Sequence, residues 1–154
     1  MNRPIILDAG PLGMIAHPRP NPQIAEWYKR IVSSDCEIFV PEVADYEVRR
    51  SLLLRGLGLA LGRLDELKQE LNYWPLTTAQ MLKAAELWAE SWRKGQPTCD
   101  PKELDCDVIL AAQALSVSEE AIVATENIKH LARFVDAKHW KDISTEDCMN
   151  SSKE

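Results

Sequence analysis

Short apolar strands set between segments of helical spacing constrain this chain more than any other feature. "RPIILD" ends in Asp8 and runs into "AGPLG", a turn signal. "CEIFV" is closed by Pro41, and "AIVAT" leads into a short helix starting near Asn127. The segments between them read as helices. "NPQIAEWYKRIVSS" spaces Ile24, Trp27, Tyr28 and Ile31 for one helix face, with Asn21 as cap and Pro22 at the first helical position. Glu42 to about Leu54 and Leu59 to Leu71 form the two arms of a helical hairpin, the second with leucines at 61, 64, 67 and 71. "TTAQMLKAAELWAESWRKG" is a helix capped by Thr77 or Thr78 and stopped by Gly95. "YWPL" is a short extended link or strand, and "AKHWKDI" a last edge strand. Strands that alternate with helices predict an α/β fold with a mostly parallel sheet and helices on both faces.

The 154 residues suit one compact domain, expected over residues 1–145, with 146–154 as a polar tail. Hydrophobic residues at 45% and charged residues at 27% are ordinary for a soluble protein, and no apolar run approaches a membrane span. The opening "MNRPIILDAG" is too short for a signal peptide, so a cytoplasmic protein is expected. Cys36, Cys99, Cys106 and Cys148 lack the close spacing of a zinc knuckle or redox motif and read as reduced thiols. His17, His130 and His139 lack the helical spacing of a zinc enzyme. A net charge of −6 counts against a nucleic acid held by bulk electrostatics. Locally the balance reverses: residues 48–63 carry Arg49, Arg50, Arg55 and Arg63 and no acid. On charge alone that segment is a solvated helix face.

Three acids share one kind of position. Asp8 ends the first strand, Glu47 lies on the helix after the second, and Asp107 opens the helix before "AIVAT", with Asp105 beside it. In a parallel α/β fold such positions converge at the C-terminal edge of the sheet. Two unit charges about 4 Å apart cost on the order of 4 kcal/mol at an effective dielectric near 20, so a converging cluster takes up protons or a cation. Oxygen ligands without histidine or cysteine suit Mg²⁺ or Mn²⁺, ions that activate water and neutralise a phosphoryl group. Each acid taken singly has an ordinary structural role: an Asx turn for Asp8, a surface pair with Arg49 or Arg50 for Glu47, an N-cap for Asp105.

In "LDCDVILAAQAL" the helix start decides what the two aspartates do. Residues two apart on a helix point roughly 200° apart. A start at Asp105 lets both carboxylates reach one ion. The alternative is the box "DPKE" at 100–103, with Pro101 first, which makes them diverge.

Together "ILDAGPLG", "VPEVADYEVRR", "DCDVILAAQAL" and "VATENIKHL" resemble, in order and spacing, the four signature segments of PIN-domain ribonucleases, closest in type to the VapC toxins of toxin–antitoxin pairs. The resemblance covers about residues 4–143. It implies a three-layer α/β/α sandwich as a single PIN-like domain, and an endoribonuclease that uses Mg²⁺ or Mn²⁺ to hydrolyse RNA. It maps the metal-binding, catalytic acids onto Asp8, Glu47 and Asp107, and Thr125 and Asn127 onto the groups that orient them. The family's fourth acid falls on His130, and Asp105 is the candidate to replace it. The partners implied are RNA, a cognate antitoxin protein and a second copy of the chain, with the hairpin from Val48 to Leu71 as antitoxin groove and RNA-facing edge. Because of His130, the alternative is a non-catalytic PIN-like module that binds RNA or protein. A phosphatase with Asp8 as nucleophile ranks last, since such enzymes place a second Asp two residues on and this chain has Gly10.

Overall fold

The computed structural model describes residues 2–95 and 101–149, with the backbone alone for 101–104. Five strands form one sheet: β1 (Ile5–Leu7), β2 (Ile38–Pro41), β3 (Asn72–Trp74), β4 (Ile122–Thr125) and β5 (Asp136–His139). Their order is β3-β2-β1-β4-β5, and every pairing is parallel. Every residue of β1, β2 and β4 is buried. Apolar runs without alternation are what strands covered on both faces require. The edge strands β3 and β5 are less buried and carry Asn72 and Asp136.

Helices make every crossover. α1 (Ala9–Ala16) and α2 (Pro22–Val32) join β1 to β2, α3 (Glu42–Leu54) and α4 (Gly58–Glu70) join β2 to β3, and α5 (Thr78–Arg93) and α6 (Pro101–Val117) join β3 to β4. α7 (Ile128–Leu131) joins β4 to β5, and a 3-10 turn at Trp140–Asp142 precedes α8 (Thr145–Met149). This is the α/β/α sandwich that the sequence predicts. The signals at the helix ends act as read: Asn21 accepts the Gln23 N–H at 2.8 Å, and Thr77 and Gln80 form a reciprocal capping box. The hairpin between α3 and α4 turns on Gly56, whose φ of 66° favours glycine. Among the described residues no helix is long and apolar enough to cross a membrane.

Gln113, wholly buried on α6, fixes this helix against three others of the chain's elements. Its Oε1 accepts from Val43 N at 3.1 Å, one of the amides left open in the first turn of α3. Its Nε2 donates to Trp74 O at 2.9 Å and to Gln80 Oε1 at 3.1 Å. One amide therefore sets α6, which carries Asp107, against the start of α3, which carries Glu47.

Two expectations are corrected at the end of the chain. Residues 145–149 are helical rather than tail, because Cys148 is fully buried in the main core. Cys148 is also bonded to Cys36 in a disulfide spanning 112 residues, so these two cysteines are not the reduced thiols expected. Cys106 is a free thiol, and Cys99 lies outside the described residues.

Candidate active site

The sheet order reverses direction between β1 and β4: the chain winds from β1 toward β3 on one side, then crosses to β4 and β5 on the other. Crevices at the carboxyl ends of strands beside such a switch are where open α/β sheets bind ligands. Asp8 follows β1 and Thr125 ends β4, and the two meet there. Thr125 Oγ1 donates to Asp8 Oδ2 at 2.7 Å, and Ala9 N donates to Asp8 Oδ1 at 2.7 Å. Asp8 is thus the N-cap of α1 and a member of the crevice at once. Burial raises its carboxyl above the ordinary range, against the opposing pull of these two hydrogen bonds. Thr125 Oγ1 in turn accepts from Asn127 N at 2.8 Å.

Glu47 arrives from α3, six residues after Pro41 ends β2. Burial pushes its carboxyl up to about 7, and the charges of Asp8 and Asp107 push in the same direction. The Arg50 guanidinium and a hydrogen bond from the Cys106 thiol oppose them. Glu47 on α3 therefore lies within reach of the charges of Asp8, which follows β1, and of Asp107 on α6. The Cys106 thiol itself is raised to about 11, by burial first and by Glu47 next.

α6 begins at Pro101, so Asp105 and Asp107 both lie inside the helix and point apart. Asp107 belongs to the crevice: its Oδ2 stands 3.6 Å from His130 Nδ1. Asp105 is exposed and borders a hollow between α5 and α6 with Met81, Ala84, Trp88 and Val108. The structure does not bring Asp105 to the other carboxylates, contrary to its expected role as replacement acid.

Other groups besides the predicted acids stand at the crevice. His130 turns toward Asp107 and lies 3.0 Å from Asn127 Nδ2. Glu126 lies over the start of α1, its Oε1 3.6 Å from where a Cβ on Gly10 would be, and pairs with His139 Nε2 at 3.7 Å. The available signal for Glu126 was its place beside Thr125 at the end of a buried strand. As positioned, no three Asp, Glu, His or Cys side chains among the described residues are grouped to hold one metal ion. The donor chemistry nonetheless fits a hard divalent cation, because such an ion prefers carboxylate oxygens and would offset the charges of Asp8 and Asp107 that add to the effect of burial on Glu47.

Beside Glu47 opens a groove of about 900 Å³ between α1, α3 and α4, floored by Met14, Val48, Leu52 and Leu57 and bordered by Arg19 and Arg55. The arginines of the basic segment divide here. Arg49 pairs with Asp45 and Asp65, and Arg63 with Glu66 and Glu70. Arg50 and Arg55 make no ion pair among the described residues.

The PIN domain family model matches residues 5–138, which is most of the chain and takes in the sheet short of the last residue of β5. The chain belongs to the PIN-domain family. No curated protein sequence matches it, but solved structures do. VapBC2 from Rickettsia felis, bound to a promoter DNA fragment, has a chain with TM-score 0.70 and 16% identity, over 88% of this PIN domain and 98% of that chain. FitAcB from Neisseria gonorrhoeae gives TM-score 0.68 and 18% identity, over 90% and 99% of the respective chains. DNA-bound VapBC from Salmonella typhimurium gives 0.65 and 19%, over 90% and 98%. At these identities the likeness is one of fold. It is also a likeness of length: the PIN domain described here spans nearly the whole of each matched chain.

Proposed function

We propose that this PIN domain is a Mg²⁺- or Mn²⁺-dependent endoribonuclease and the toxin of a toxin–antitoxin pair, acting in the cytoplasm. One observation carries the reading: Glu47, raised to about 7 by burial first, also feels the charges of Asp8 and Asp107, which reach it from two other segments. These three residues would hold the cation. When bound, it supplies an acidified water and charge neutralisation at the scissile phosphate. The protein's share is placement. Thr125 and the Ala9 amide fix both oxygens of Asp8, so that this carboxylate needs no reorientation to bind. Glu47 sheds its proton as it binds, while Asn127 holds His130 beside Asp107. Arg50, near Glu47, offers positive charge to an incoming polyanion.

The partners follow from the same reading. The structures similar in fold are of VapBC and FitAcB assemblies, which supports a cognate antitoxin as partner. The apolar groove beside Glu47 is the surface proposed to seat it, and a second copy of the chain is the proposed homodimer partner. The test is RNA cleavage by wild type and Glu47→Gln in Mg²⁺ and in Mn²⁺. Wild type should cleave and the variant should not; equal cleavage by both would remove Glu47 from the site.

A second reading is supported by His130 standing at the family's fourth acidic position and by the open spacing of the carboxylates. It makes the chain a non-catalytic module. Wild type stripped of any partner would then fail to cleave RNA in either metal and would still bind RNA or a protein.

A further inference from the structure

Tyr46 is the only aromatic side chain among the described residues that is exposed, at 56%; every other Trp, Tyr and Phe is buried or half-buried. Single exposed apolar side chains are common and mean little by themselves. The position of this one is specific. It immediately precedes Glu47 on α3, and the Arg50 guanidinium lies over its ring at 5.0 Å. The same guanidinium is near enough to Glu47 and to Cys106 to oppose the rise of both, so it lies close to the Tyr46 ring and to the Glu47 carboxyl at once. Unlike Arg49 one residue before it, Arg50 is exposed and makes no ion pair among the described residues. Its charge is available to an anion from outside the chain.

An exposed ring with a planar cation against it, at the rim of a phosphoryl-transfer site, has the two properties that unpaired nucleotides require. One is a face on which any base stacks, and the other is positive charge for the backbone. We propose that Tyr46 and Arg50 form a subsite that stacks one base of a single-stranded RNA, next to the phosphate placed at Asp8, Glu47 and Asp107. This rests on the nuclease reading above. The base stacks on the ring or on the guanidinium plane above it, and Arg50 reaches the flanking phosphate. A base inside a duplex is already stacked on its neighbours, so the subsite selects unpaired RNA.

The experiment measures affinity apart from chemistry. A fluorescein-labelled single-stranded RNA of mixed sequence is titrated in EDTA with wild type, Tyr46→Ala, Tyr46→Trp and Arg50→Ala, and wild-type cleavage is followed separately in Mg²⁺ and Mn²⁺. Tyr46 is exposed, so its variants should keep the fold, which circular dichroism checks. Tyr46→Ala should weaken binding roughly ten-fold and Tyr46→Trp should restore it. Arg50→Ala should flatten the salt dependence of binding by about 0.7 in log–log slope. Unchanged affinity in Tyr46→Ala overturns the subsite, as does a wild type that does not bind the RNA. So does a Tyr46→Ala that loses only affinity for a protein partner, which would assign the ring to a protein interface. Wild type that binds through Tyr46 but cleaves in neither metal removes the nuclease reading and leaves the subsite standing.

Discussion

Glu47 holds its proton into the neutral range because the folded chain half-buries it and, secondarily, sets it near Asp8 and Asp107. Its ordinary value is 4.5 and its folded value about 7, so folding favours the protonated form. The stability tied to that proton is complete below the ordinary value and is lost as pH rises through the folded one. Glu47→Gln keeps the shape and cannot ionise. In EDTA it should melt with wild type near about pH 5 and above it near about pH 8, by roughly 2–4 °C for each kcal/mol of repulsion relieved. Scanning fluorimetry at the two pH values checks this, and the same gap at both would mean that neither burial nor neighbouring charge raises Glu47. Asp8, Glu47 and Asp107 could be picked out from sequence because each sits at the end of a strand or early on a helix that follows or precedes one. Cys106 and Glu126 could not, and His130 was marked only as the residue at the family's fourth acidic position. Their roles at the crevice depend on which way α6 and α7 turn, and a single sequence leaves that rotation open.

Helix phase decides between the two aspartates of "LDCDVILAAQAL". With α6 starting at Pro101, Asp107 faces His130 and Glu47 while Asp105 borders the hollow against α5. Asp105→Asn should therefore leave Mn²⁺ affinity within about two-fold of wild type, whereas Asp107→Asn should weaken it more than about ten-fold. An electron paramagnetic resonance titration of Mn²⁺ reads both, and equal losses would mean that the helix start differs from the one described. The sequence offered two start signals four residues apart and no local means to choose between them. Elements with clear end signals were legible: the buried strands from their unbroken apolar runs, α2 from Asn21 and Pro22, α5 from its threonine cap and the stop at Gly95. The edge strand β3 was legible only as a link or a strand, because three residues, the exposed Asn72 and the half-covered Tyr73 and Trp74, carry little pattern.

At the scale of the whole molecule, the Cys36–Cys148 bridge joins the segment just before β2 to α8. Closing a loop of 112 residues restricts the unfolded chain and typically adds about 2–4 kcal/mol. Cys148→Ser, or wild type under reductant, should melt several degrees lower. A melting temperature indifferent to both changes would show that the bridge contributes nothing. The pairing was invisible in the sequence because no local spacing connects positions so far apart, and α8 looked like tail because its one buried side chain sits among polar neighbours. The bridge lies at the amino-terminal edge of the sheet, and the carboxylates lie at the carboxyl-terminal edge. Arg3 N also donates to Cys148 O, which sets residues 3 and 148 side by side. A tether, tag or fused partner attached beyond either residue would thus leave from the side opposite the crevice. Immobilised on a surface in this way, the molecule presents its acids outward, and a short linker joining 148 back to 3 would let the chain be reopened in an exposed loop elsewhere without moving the site.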